Sequence, residues 1–247
     1  MRRRWIADTF APETGHPTHA ALTGEQALHL ARVLRAEVGQ VFDVVAGGFL
    51  HRSEIVSVSA DRVEFVLHEE LESDAALPLH LYLAVFKFDH LEWAIEKATE
   101  LGVAKITPVL ARRTEKHLAQ ASAKRVERWR RIAHEASQQS RRTSVPVIAD
   151  PTPLKLALAG EQASTRILLS ETEQNLSLSM AMAAAAAHRS TSVVSHALAV
   201  GPEGGWTPDE MAMFTVHAWT PVTLGPRILR AETAAIAAIA IAGSFLN

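Results

Sequence analysis

From Leu79 to Leu224, short apolar runs return at intervals with helical segments between them, and this alternation limits the fold more than any other feature of the chain. The runs are Leu79 to Phe86, Ile106 to Leu110, Val145 to Ile148, Arg166 to Ser170, His196 to Val200 and Trp219 to Leu224. Parallel strands need long crossover connections, usually helical, and strands covered on both faces are apolar throughout rather than alternating. The pattern predicts an α/β domain with a mostly parallel sheet between helices. Ligands of such sheets bind beyond the strand C-termini, so the loops after these runs are where functional groups belong.

Upstream the rhythm differs. Gln40 to Ala46, Phe49 to Ser59 and Arg62 to Glu69 carry alternating apolar positions, and Gly47-Gly48 is a natural hairpin turn. One helix interrupts them: Thr23 can cap it, Leu28, Ala31 and Val33-Leu34 are expected to face inward, and Gly39 closes the turn that follows. These elements predict a small β-barrel. The stretch Leu71 to Pro78 is polar, then small, then broken by proline, and reads as a linker. The expected domains are residues 1–72 and 73–247.

With 247 residues, 48% of them hydrophobic, the chain can bury one large core or two modest ones. It has no cysteine, which excludes disulfides and thiolate chemistry and fits a reducing compartment; cytoplasm is the expected location. Arg2, Arg3 and Arg4 are followed by no long apolar segment, so no secretory signal is expected. The terminal apolar stretch Ala234 to Leu246 is shorter than the ~20 residues of a membrane span and reads as a buried helix. The formal net charge of −2 argues against a nucleic-acid partner, but its distribution argues for one. Between Arg112 and Arg142 ten Lys or Arg stand against three acids, enough local field to attract phosphates.

Three strand ends carry candidate chemistry. Gly201-Pro202-Glu203-Gly204-Gly205 follows the run ending at Val200, and Thr207-Pro208-Asp209-Glu210 after it has the spacing of a capping box with proline at the first helical position. Its glycines permit close backbone approach, but no phosphate-binding lysine follows, which disfavours a nucleoside triphosphate. Leu224-Gly225-Pro226-Arg227-Ile228-Leu229-Arg230-Ala231-Glu232-Thr233 follows the last run; its backbone could bind an uncharged purine edge, with Ile228 and Leu229 as apolar walls. Leu169-Ser170-Glu171 adds a carboxylate.

These three segments resemble the loops with which SPOUT methyltransferases, specifically the RsmE family, hold S-adenosylmethionine (SAM). Lys87, Lys97 with Glu100-Leu101-Gly102, and the stretch containing Trp129, Ile132, Glu135, Ala136, Gln139, Ser140 and Arg142 also match that family's pattern. His29-Leu30-Ala31-Arg32-Val33-Leu34-Arg35 followed by Gly39 looks like its PUA-like RNA-binding domain. Arg112-Arg113-Thr114 departs from it, standing where a more serine-rich loop is expected.

The resemblance implies a SAM-dependent methylation of uridine N3 in small-subunit 16S ribosomal RNA, a C-terminal trefoil knot, a homodimer and the assembled 30S particle as partner. It implies cofactor contacts from Leu169, Glu171, Val200, Gly201, Glu203, Gly204, Gly205, Leu224, Gly225, Ile228, Leu229, Ala231 and Thr233. RNA contacts would come from Arg2, Arg3, Arg4, Arg32, Arg35, Lys87, Arg112, Arg113, Arg141 and Arg142. Arg230 is the expected catalytic residue, stabilising the deprotonated imide, with Glu232 orienting it. Alternatives are ribose 2′-O methylation by the same superfamily, and an RNA-binding module that has lost its cofactor.

Overall fold

The computed structural model describes residues 4–11, 18–73, 75–187 and 195–246. The chain divides into two compact units, Met1–Ala75 with Ser137–Ser144, and Ala76–Ala136 with Val145–Asn247.

The first unit contains β1 (Trp5–Ile6), β2 (Thr9–Ala11), β3 (His19–Thr23), α1 (Gly24–Leu28), β4 (Val41–Ala46), β5 (Phe49–Val58) and β6 (Arg62–Leu71). The strands form one sheet in the order β1-β4-β5-β6-β3-β2. The sheet curls on itself: Ala7 N–H donates to Val45 O on one side (2.8 Å), and the next residue, Asp8, donates to Ala21 O on the other (2.9 Å). Inside lie Trp5, Leu22, Leu30, Val44, Ile55 and Phe65, all fully or nearly fully buried. Gly47 and Gly48 make the predicted hairpin with φ of +61° and +88°, the paired left-handed values a two-residue turn between twisted strands requires.

The helix of this unit departs from expectation. Thr23 caps nothing; its N–H and hydroxyl both donate to Asp8 Oδ2, at 2.7 and 3.2 Å. After Leu28 the chain enters a π turn, His29–Val33, in which Leu34 N–H reaches back five residues to His29 O. The wider turn breaks the 100° stepping of an ordinary helix. Ala27 and Leu30 are buried, whereas Leu28, Val33 and Leu34, expected inside, are exposed, and Ala31 is half-buried.

The second unit contains β7 (Leu77–Ala84), α2 (Phe88–Glu100), β8 (Val103–Leu110), α3 (Lys116–Ser122), α4 (Val126–Gln139, its last residues counted with the first unit), β9 (Val147–Ile148), β10 (Thr152–Pro153), α5 (Leu154–Ala159), β11 (Thr165–Leu169), α6 (Leu178–Ala187), β12 (His196–Val200), α7 (Pro208–Val216), β13 (Thr220–Val222) and α8 (Ala231–Leu246). Every strand pairing is parallel, in the order β10-β8-β7-β12-β11-β13 with β9 beside β8. Apolar side chains leave both faces. Leu79, Leu81, Leu198 and Val200 pack with α2, α4 and α8, while Tyr82, Ala197, Ala199 and Leu168 pack with α5 and α7. Successive residues of β12 go to opposite sides, which is why that strand reads as a continuous apolar run. No helix among the described residues is long and apolar enough to cross a membrane.

Candidate functional site

Strands β12, β11 and β13 are neighbours and parallel, so the segments following them leave from one edge of the sheet. Val200 leads into Gly201, Leu169 into Ser170 and Glu171, and Val222 into Leu224 and Gly225. On the far side of β12, β7 brings exposed Lys87 to the same edge as the residue preceding α2. Backbone bonds hold two of the segments together: Ser170 N–H donates to Val222 O (3.0 Å), Thr223 N–H to Leu176 O (2.9 Å) and Leu178 N–H to Thr223 O (3.0 Å).

The glycine loop is braced from two sides. Gly205 takes φ +70° and donates to Pro202 O at 2.8 Å. Thr207 and Glu210 form the capping box at the start of α7. Glu210, 2% exposed, accepts from the Thr207 N–H (2.8 Å) and hydroxyl (2.9 Å) through Oε2, and through Oε1 from the backbone N–H of Arg112 (2.7 Å). One buried carboxylate thus ties the loop after β8 to the helix after β12. Arg113 from that loop donates through Nη1 to Gly204 O. A Cβ at Gly204 would stand 3.2 Å from Arg113 Cδ, and one at Gly201 would stand 3.1 Å from Trp206 Nε1. The Trp206 indole N–H is buried with no hydrogen-bond partner among the described residues, its ring edge-on to Phe214 at 4.8 Å.

The last loop lies more open. Gly225 has φ +114° with nothing within 4 Å of a Cβ built on it, so space lies over its backbone. Val200 and Ala231 are buried, Gly201, Leu169, Leu224 and Leu229 half-buried, and Glu171, Glu203, Gly204, Gly225, Arg230 and Thr233 exposed; Ile228 is 84% exposed. Arg230 O accepts the Ala234 N–H at 2.8 Å, which fixes its backbone to the first turn of α8. Among the described residues Glu232 forms no hydrogen bond or ion pair with Arg230. Its carboxylate, 4% exposed as a residue, meets His90 Nδ1 at 2.9 Å, because the first turn of α8 turns this position toward α2.

Comparison with known proteins decides what this arrangement belongs to. A family model described as an RNA methyltransferase domain matches residues 73–243, well over half of the chain. The chain belongs to the RNA methyltransferase family. A second model, an RNA methyltransferase PUA domain, matches residues 22–67. Ribosomal RNA small subunit methyltransferase E of Bacillus subtilis is 33% identical over 97% of this chain and 94% of its own length. The Synechocystis protein of the same name is 34% identical over 96% of this chain and 77% of its own. The crystal structure of ribosomal RNA small subunit methyltransferase E from Neisseria gonorrhoeae bound to S-adenosyl methionine aligns with a TM-score of 0.78 at 27% identity, covering 97% of this chain and 96% of that one.

In this RNA methyltransferase the basic stretch is partly neutralised by carboxylates that spacing did not reveal. Glu92 on α2 accepts from Arg128 Nε (2.8 Å) and lies 3.6 Å from Arg125, whose guanidinium also covers the Phe88 ring at 5.0 Å. Arg130 pairs with Glu127 (2.5 Å) and Asp150 (3.0 Å). Among the described residues Arg112, Arg113, Lys116, Lys124 and Arg131 are exposed and form no ion pair; Arg113 is bonded to Gly204 O, which leaves Arg112, Lys116, Lys124 and Arg131 open to an anionic partner. Arg2 and Arg3 lie outside the described residues, and Arg4 Nη1 donates to Arg141 O. Arg32 and Arg35 are exposed in and just after the π turn, and Arg35 and Arg141 hold left-handed φ values of +51° and +62°. Burial lowers Arg142 from 12.5 to about 10, a guanidinium withdrawn from solvent rather than offered to it.

Proposed function

We propose that this protein transfers a methyl group from SAM to N3 of a uridine in the 16S ribosomal RNA of the small subunit. The observation that carries the reading is the convergence of the Gly201, Glu171 and Gly225 segments at one sheet edge. It occurs in a chain similar over nearly its whole length to small-subunit methyltransferases.

The residues present fit SAM. An open, positive-φ backbone at Gly225 and the first-turn N–H groups of α8, which lack intrahelical acceptors, suit an uncharged purine edge. Leu169, Val200, Leu224, Leu229 and Ala231 supply apolar wall, Ile228 closes over it from its exposed position, and Thr233 lies one turn further on. Glu171, Gly201, Glu203, Gly204 and Gly205 line the opposite part of the cup. When bound, SAM supplies an electrophilic methyl on a sulfonium centre, open to in-line displacement without a metal.

The chain's own task is then to align the uracil and favour loss of its imide proton. Arg230 stands exposed at the entrance to α8, where its guanidinium can hydrogen-bond a uracil carbonyl and stabilise the charge that develops on the deprotonated ring. Glu232, anchored by His90, positions Arg230 through the backbone of that first turn. Lys87, Arg112 and the other exposed cations hold RNA phosphates, with residues 1–72 as an RNA-binding domain for folded RNA. Residues 73–247 form the catalytic domain, with a trefoil knot toward its C-terminus. The enzyme works as a homodimer in the cytoplasm, on the assembled 30S particle.

Small ribosomal subunits lacking their modifications, incubated with labelled SAM and this protein, test the reading. Nucleoside mass spectrometry is expected to find the label as N3-methyluridine at one position. Label on ribose 2′-oxygens, or none, would refute it.

A further inference from the structure

Arg113 belongs by sequence to the basic stretch, yet its surroundings are those of the glycine loop. One guanidinium N–H is spent on Gly204 O, and the aliphatic stem lies so flat over Gly204 that a Cβ there would meet Cδ at 3.2 Å. A point one Cβ bond from Gly205 is 3.9 Å from Arg113 Nη1 and 4.0 Å from Glu171 Oε2. The two charged groups thus flank the same glycine, separated by less than twice that distance, and still form no ion pair with one another among the described residues. Glu171 is exposed and forms no other ion pair among those residues.

A phosphate placed on Arg113 would lie beside the Glu171 carboxylate and be repelled by it. A group bearing both signs would meet neither penalty, and an α-amino acid carries both on one carbon, short enough to stand between two side chains that flank the same glycine. Four guanidinium N–H donors remain for a carboxylate after the Gly204 bond, and that bond fixes the plane in which they point. The neutral adenosine part of SAM needs no such pair of charges.

We propose that Arg113 and Glu171 together receive the zwitterionic amino-acid end of SAM, Arg113 binding its carboxylate and Glu171 its ammonium. The assignment rests on the cofactor reading given above. It moves Arg113 from the RNA-binding set to the cofactor site, and it orients the cofactor with its adenine toward Gly225 and its amino-acid end toward the loop after β8.

The test is calorimetric titration of the full chain with two thioethers that differ only in that end: S-adenosylhomocysteine, which has it, and 5′-methylthioadenosine, which lacks it. Arg113→Ala is expected to weaken S-adenosylhomocysteine about tenfold or more while changing 5′-methylthioadenosine by less than about twofold. Arg113→Lys should fall between, and Glu171→Gln should show the same selectivity. The salt dependence of poly(U) binding should be unchanged by Arg113→Ala. Equal loss of both thioethers would overturn the proposal, since it would make Arg113 only a brace for the loop. Unchanged thioether binding with a shallower poly(U) salt slope would overturn it in favour of a phosphate contact. Wild-type protein that binds no SAM would defeat the functional reading itself, and this assignment with it.

Discussion

Arg230 and Glu232 sit two residues apart at the start of one helix and face different surroundings, the first exposed, the second buried against His90. Their substitutions should therefore separate. Arg230→Ala is expected to abolish methyl transfer while leaving the SAM dissociation constant within about threefold, since the role proposed for the exposed guanidinium is toward the uracil and not the cofactor. Loss of SAM binding would contradict that role. Glu232→Ala strips the acceptor from a half-buried histidine and should cost about 1–3 kcal/mol in urea unfolding, in addition to its effect on turnover. The spacing of these two residues was legible in the chain; the side-chain partner of Glu232 was not. His90 is 142 residues away, and only the packing of α2 and α8 on one face of the sheet brings the two together. Glu92 with Arg125 and Arg128 is another case: a surface charge run by sequence, an ion-pair cluster once α2 and the basic stretch are folded.

At the scale of elements, the capping box at α7 was readable because its parts lie within four residues, Thr207 to Glu210. The π turn at His29–Val33 was not, since its residues fit an ordinary helix. Glu210 serves helix and loop at once, so Glu210→Ala should destabilise the protein by about 1–3 kcal/mol. It should also weaken SAM binding, because Arg112 N–H loses its acceptor. Calorimetric melting and titration of one variant check both.

A second network links β7, β8 and the segment after α5. His80 Nδ1 meets Glu161 at 2.7 Å, His80 Nε2 meets Thr107 Oγ1 at 2.8 Å, and the Tyr82 hydroxyl donates to Glu161 at 2.7 Å. Burial lowers His80 from 6.5, against the opposing pull of Glu161, and nearby Lys105 adds to the lowering. Burial would raise the Glu161 carboxyl, but bonds from His80, Tyr82 and the Ala163 N–H outweigh it and hold the group at about 2. Burial and the Glu161 carboxylate both push Tyr82 up, with Arg166 opposing. On acidification the unfolded chain takes up protons first, on His80 near 6.5 and Glu161 near 4.5, so stability falls below pH 6.5 and continues falling through 4.5 toward 2. Urea midpoints between pH 7 and pH 3 should drop progressively in the wild type and less steeply in Glu161→Gln, which starts lower.

For the whole molecule, the alternation of apolar runs and helical segments led to the parallel sheet because each crossover needs a helix and each central strand is covered twice. The change of rhythm falls near residue 73, while the two compact units divide after Ala75 and Ser137–Ser144 is counted with the first, a return of the chain that no local pattern announces. Net charge said little about the RNA partner; exposed Arg112, Lys116, Lys124 and Arg131, without ion pairs among the described residues, say more. Reversing Lys116 and Arg131 together should reduce the magnitude of the log–log salt slope of RNA binding by about 1–2, whereas Arg128→Ala, already paired with Glu92, should leave it nearly unchanged. If the three strand-end loops form one cup for SAM, a crystal structure of the protein grown with SAM will show the cofactor touching all three. The adenine is expected against the backbone of Gly225 to Leu229 and the remainder of the cofactor along Gly204 and Gly205. A cofactor seated elsewhere, touching only one of those loops, would contradict it.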